Sequence, residues 1–186
     1  MNENTETNEG KELMKSILSF LKEIIIAVII AFLIMQVIKP TIVKEASMQP
    51  TLYENNYLIL NKLAYKVGEP ERGDIIVFHT NLTQENGQEK LLIKRVIGLP
   101  GETITIEGGK VYVNDKELEE DYIKDGYTDG TILNLKVPEG EMFVMGDNRV
   151  VSIDSRVSQV GTVKIDEVLG KAFVRLYPFD QIRLFK

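Results

Sequence analysis

The stretch "ETITIEGGKVYVND" (residues 102–115) decides the fold class. Apolar and polar residues alternate on either side of Gly108–Gly109, with the period of two that a half-buried strand requires. Adjacent glycines supply the positive backbone angles of a tight hairpin turn. The same texture continues outward in "NYLILNKL" (56–63), "GDIIVFHT" (73–80), "KLLIKRVIG" (90–98), "EMFVMGD" (141–147) and "VLGKAFVRLY" (168–177). These runs are short, rich in Val, Ile, Tyr and Phe, and bounded by Gly, Pro, Asn and Asp, as strands are. No long amphipathic helical pattern follows residue 40. The expectation is a mainly β body over 40–186, built on an antiparallel sheet. Its polar stretch 114–138, "NDKELEEDYIKDGYTDGTILNLKVP", reads as an insertion or small cap.

Upstream the texture is different. Residues 1–16 begin with the polar "MNENTETNEGKE" and read as a disordered tail. The run "IIIAVIIAFLIMQVI" (24–38) spans only about 22 Å as a helix, against a bilayer core of about 30 Å. Adding Ile17–Leu21 makes it long enough, with Lys22 snorkelling from its near end. Pro40 closes the helix at about Lys39. A cleavable leader would need a small-x-small site, and "QVIKPTIVK" offers none. A buried core helix is the other alternative, one with no polar stripe. One uncleaved transmembrane anchor over 17–39 is the reading adopted. Lys11, Lys15 and Lys22 precede it, while only Lys39 and Lys44 follow closely. That bias places the N-terminus in the cytoplasm and the body outside, at the cell membrane.

Composition narrows the chemistry. The 186 residues carry a net charge of −6, so nucleic acid is not an expected partner. There is no cysteine and one histidine, His79, which removes thiolate catalysis and Cys/His zinc sites. No metal or cofactor is implied.

Three stretches carry candidate chemistry. The first is "SMQPTL" (47–52), where a serine stands just before a proline turn shortly after the anchor. Were 41–47 extended, Thr41, Val43, Glu45 and Ser47 would share one face. A serine needs a base. His79, at a strand end, is one candidate, and Lys94 in "LLIKRVIG" is the other. Burial among aliphatics lowers a lysine's pKa from about 10.4 by up to several units and leaves a neutral amine. An edge-strand gatekeeper or a snorkelling surface lysine is the competing account of Lys94. The third stretch, "GDNRVVSIDSR" (146–156), packs Asp147, Arg149, Asp154 and Arg156 beside Ser152 and Ser155. It reads either as a polar surface turn or as a partly buried loop held by carboxylate–arginine pairs.

Together these stretches resemble the boxes of the type I signal peptidases of the short Gram-positive kind. "SMQPTL" matches the nucleophile box, "KRVIGLPG" (94–101) the lysine box and "GDNRVVSIDSR" the third, in order and behind an anchor. The resemblance covers the chain from residue 17 to its end. It implies a Ser/Lys endopeptidase that cleaves signal peptides from exported preproteins at the lipid bilayer. Ser47 would be the nucleophile and Lys94 the general base, with the Ser47 N–H donating to the oxyanion. Ser152 would hydrogen-bond the amine, while Asp147, Asp154, Arg156 and Arg95 would brace the site. An extended substrate adding to a sheet edge would place small side chains in shallow pockets. Thr41, Val43, Met48 and Ile93 are the candidate lining.

One position departs from the family pattern. Glu45 stands where the family has Gly or Ser, two residues before the nucleophile. A carboxylate there could repel the oxyanion, or pair with Lys94 and keep it protonated. The alternative function that follows is an anchored β module that binds exported proteins with weak or no catalysis.

Overall fold

The structure is a computed structural model and describes residues 3–84 and 86–185. Its contacts divide the chain between Val37 and Ile38. The first unit is helix α1, Glu3–Val37. It begins well before residue 17, so the polar segment expected as a tail continues the helix, where Lys15 pairs with Glu12 at 2.7 Å. The part Glu12–Val37 is apolar enough to cross a membrane and, at 26 residues, spans about 39 Å. Its large apolar side chains are all exposed. The helix stops at Val37, two residues before the expected boundary, because the chain ahead of Pro40 is already extended.

The second unit is the β body. Its elements begin with β1 (Ile38–Ile42), β2 (Tyr57–Asn61), the short α2 (Ala64–Val67), β3 (Ile75–Phe78) and β4 (Leu92–Gly98). Next come β5 (Thr103–Glu107), β6 (Lys110–Val113), β7 (Lys116–Glu117) and β8 (Ile132–Lys136). The chain closes with β9 (Glu141–Met145), β10 (Val163–Lys164), β11 (Val168–Tyr177) and β12 (Arg183–Leu184). The large sheet has the order β1-β2-β11-β3-β4-β9-β10, with β12 added on β11. The small sheet has the order β7-β6-β5-β8. Every pairing is antiparallel.

The glycine hairpin is β5–β6, with Ile104 opposite Val113 and Ile106 opposite Val111. Gly108 and Gly109 both have positive φ, which a residue bearing Cβ adopts only with strain. The polar stretch 114–138 does not stand apart. It supplies β7 and β8, which flank the hairpin, so the inserted sheet spans Thr103–Lys136. Ile104, Ile106, Val111 and Val113 pack with Ile97, Phe143 and Met145 of the large sheet. Contact there is close: a Cβ on Gly98 would lie 2.7 Å from Ile104 Cδ1 and 3.1 Å from Phe143 Cβ.

Strand β3 is buried on both faces, which is why "IIVF" is apolar without alternation. Ile75 and Val77 join Met48, Leu52, Leu58 and Leu60 in one cluster. Ile76 and Phe78 join Leu92, Val96 and Val144 in another. Each such side chain, fully buried, contributes about 1.5–3 kcal/mol. Edge position accounts for Pro40 within β1, opposite Ile59, because the missing donor interrupts no ladder on the open side.

Candidate active site

Alternation from 41 to 47 does not hold. Strand β1 ends at Ile42, and Ala46–Met48 form a 3₁₀ turn. Ser47 and Met48 are buried while Glu45 is exposed. The turn is fixed from both sides. Gln49 N–H donates to Ala46 O at 3.2 Å. Across the fold, Asn148 N–H donates to Ser47 O at 3.0 Å and its Nδ2 to Ala46 O at 3.2 Å. Glu45 makes no side-chain cap bond to the turn, so its leading N–H groups, Ser47's among them, are left uncapped.

Lys94 is fully buried in β4, opposite Ile76. Its Nζ lies 2.8 Å from Ser47 Oγ and 3.0 Å from Ile93 O. The gatekeeper and snorkelling accounts therefore fail. Burial pushes the ammonium down from 10.5 to about 8. The carboxylates of Asp154, Glu45 and Asp147 act against that fall, and the Lys90 ammonium adds to it. An amine poised near pH 8 and in contact with a hydroxyl can accept the hydroxyl's proton. His79 is elsewhere, exposed and paired with Glu89 at 2.9 Å.

The carboxylates of the loop 146–156 are buried and paired with arginines, while its apolar Val150, Val151 and Ile153 are exposed. Arg95 grips Asp147 with Nε at 2.8 Å from Oδ1 and Nη2 at 2.6 Å from Oδ2. Thr51 Oγ1 donates to the same carboxylate at 2.5 Å. The Arg95 guanidinium also stacks over the Tyr122 ring, 4.0 Å from its centre. Arg156 grips Asp154 at 2.8 and 2.9 Å, and Gly146 N–H donates to Asp154 at 3.0 Å. Burial alone would raise the Asp154 carboxyl, but Arg156 and the Gly146 N–H hold it below its usual range.

Ser152 does not bond the Lys94 amine in this structure. Its Oγ is buried beside Asp154, close enough to favour the carboxylate but without a regular hydrogen-bond partner. Gly146 leaves little room here: a Cβ on it would lie 2.3 Å from Ser152 Oγ and 2.4 Å from Ser47 O. Glu45 is ion-paired with Lys90, its Oε1 2.5 Å from Lys90 Nζ.

A cleft of about 900 Å³ opens beside Ser47, along edge strand β1. Thr41, Val43, Met48 and Ile93 all line it, with Glu45 and Lys90. Three further residues contribute: Arg149, which the sequence marked only as one charge of the loop, and Asn148 and Thr51, to which it gave no role. Arg149 is buried and bound to Glu120 at 2.5 and 3.0 Å and to Thr128, which ties the inserted sheet's connection to the loop. Asn148 holds the turn that carries Ser47, and Thr51 completes the Asp147 pair. The density of charge in "GDNRVVSIDSR" was a signal for Arg149; nothing local pointed to Glu120. Among the described residues no group of three or more His, Asp or Glu side chains converges as metal ligands would.

A buried serine–amine contact beside a cleft, on an antiparallel β body, points to the class: a hydrolase of the serine peptidase kind. The chain belongs to the signal peptidase family, peptidase S26, whose pattern it matches over residues 17–177. It is 37% identical over 188 residues to signal peptidase I P of Bacillus subtilis subsp. natto, covering 95% of this chain and 97% of that one. It is 36% identical to signal peptidase I U of Bacillus subtilis (strain 168), with 100% of both chains covered. A crystal structure of a signal peptidase I from Enterococcus faecalis V583 is 35% identical, covers 56% of this chain and 97% of its own, and superposes with a TM-score of 0.45.

Proposed function

We propose that the chain is a membrane-anchored endopeptidase that removes N-terminal signal peptides from exported preproteins through Ser47 and Lys94. The observation that carries this reading is the 2.8 Å contact between Ser47 Oγ and the Nζ of a fully buried lysine. The neutral amine takes the hydroxyl proton as Oγ attacks the scissile carbonyl. The Ser47 N–H donates to the oxyanion, a contribution of about 3 kcal/mol. The ammonium returns its proton to the leaving amine, and water then releases the acyl group with Lys94 again as base. Asp147–Arg95 and Asp154–Arg156 keep the loop under the site rigid, and Ser152 orients the amine once substrate fills the cleft.

The substrate lies extended along β1, and its alternate side chains meet Thr41, Val43, Met48 and Ile93. The helix Glu12–Val37 anchors the protein in the lipid bilayer, with the N-terminus cytoplasmic, and so keeps the cleft close to substrates held in the same membrane. Nucleic acid is no partner of a chain with net charge −6. The binding-module alternative rested on Glu45, and the pairing of Glu45 with Lys90 favours the catalytic reading over it. The test is cleavage of a preprotein by detergent-solubilised protein. Ser47→Ala and Lys94→Ala are expected to abolish turnover and His79→Ala to retain it; cleavage by Ser47→Ala at the wild-type rate ends the reading.

A further inference from the structure

The cleft holds one charge pair that the three sequence boxes do not contain. Lys90 Nζ meets Glu45 Oε1 at 2.5 Å, and both residues line the cleft beside Ser47. Both ends are pinned. Lys90 N–H donates to Leu82 O at 2.7 Å, and Lys90 O accepts from Thr80 Oγ1 at 2.5 Å. Glu45 is extended (φ −127°, ψ 155°), and the next residue's carbonyl is held by Gln49 and Asn148.

Among the described residues, Asp154, Glu45, Lys90 and Asp147 act electrostatically on Lys94. Asp154 and Asp147 carry their own guanidinium partners, Arg156 at 2.8 Å and Arg95 at 2.6 Å. The remaining two are Glu45, two residues before the nucleophile, and Lys90, four before the base. We propose that Lys90 is a positioning residue for the catalytic pair: it engages the Glu45 carboxylate in the cleft beside Ser47 and offsets its charge at the site. An unpaired carboxylate at residue 45 would favour the protonated amine and oppose the negative charge that develops on the carbonyl oxygen. The two charges act on Lys94 in opposite directions, Glu45 raising its pKa and Lys90 lowering it. The pair is part-exposed, and such pairs add little to stability. Its effect is on the site.

This inference rests on Lys94 being the base, and the experiment separates the two claims. The pH dependence of kcat/KM is measured on a preprotein in detergent at low and high salt, for the wild type and for Lys90→Met, Lys90→Arg, Glu45→Gln, Lys90→Met/Glu45→Gln and Lys94→Ala. Thermal unfolding is followed in parallel. Activity rises as pH climbs through the Lys94 pKa. Lys90→Met is expected to move that rise upward by about half a pH unit, which is about threefold lower activity at a fixed pH on the slope. Glu45→Gln moves it downward, the double variant returns it close to wild type, and Lys90→Arg restores it. The Lys90→Met shift shrinks as salt is added, and the unfolding temperatures stay together. An unmoved profile in Lys90→Met overturns the inference, as does a shift of the same size in the double variant. In either case loss of turnover in Lys94→Ala leaves the base assignment standing. Retained turnover in Lys94→Ala overturns the base assignment itself.

Discussion

Lys94→Met should make the protein inactive and, near neutral pH, more stable. Methionine is unbranched and close to lysine in length, so it fills the same space without a charge. In the unfolded chain the amine ionises freely, with a pKa near 10.5, whereas the fold holds it near 8. That difference is worth about 3 kcal/mol against folding wherever the pH lies below both values. The two hydrogen bonds from Nζ, to Ser47 Oγ and Ile93 O, return about 1 kcal/mol each. At pH 7 the variant should therefore be about 1–2 kcal/mol more stable. For a protein of this size that raises the melting temperature by about 3–6 °C. The sign depends on pH. The penalty is complete below about pH 8 and fades as the unfolded-state amine also loses its proton toward 10.5. The lost hydrogen bonds remain lost, so the variant becomes the less stable protein by about pH 10. Circular dichroism melts of both proteins in the same detergent at pH 7, 8.5 and 10 give the comparison. A variant less stable than wild type at pH 7, or an advantage that does not change with pH, refutes the reasoning.

Gly146→Ala places a methyl within 2.4 Å of Ser47 O and nearer still to Ser152 Oγ; it should cost about 1–3 kcal/mol in urea unfolding and lower kcat by displacing the nucleophile turn. Asp154→Ala leaves the Arg156 guanidinium without its partner and should cost about 3–5 kcal/mol by the same measurement. In the wild type, because the Asp154 pKa is depressed, its stabilisation is complete above about pH 4 and is lost on further acidification, so an acid titration of the two proteins should converge at low pH. Ser152→Ala removes a buried hydroxyl that has no regular partner, so the melting temperature should hold or rise while kcat falls with KM little changed.

Much of this was legible in the sequence, for reasons that differ along the chain. Strands such as β5 and β6 announce themselves because one face is wet and the other dry, and the glycine pair marks the turn between them. Lys94 stood out because a cation among aliphatics has to be either displaced to the surface or used. Alternation failed at Ser47, where the chain leaves the strand at Ile42 and coils into a turn; bonds from Asn148, far away in sequence, fix that turn, and no local pattern encodes them. The extent of the inserted sheet was hidden for a similar reason, since β8 joins the hairpin by long-range pairing and polar composition made it look separate. Glu45 could be read as a departure but not paired with a partner, because Lys90 lies 45 residues away in the chain.

The turn that carries Ser47 has a consequence for the order in which the protein comes into being. Its carbonyls are secured by a backbone N–H and a side chain 101 and 102 positions later, both from Asn148. A ribosome releases the serine long before it releases Asn148. The turn that orients the hydroxyl is thus completed late, after both Ser47 and Lys94 have emerged, and the pair reaches its final geometry only once Asn148 has joined the fold.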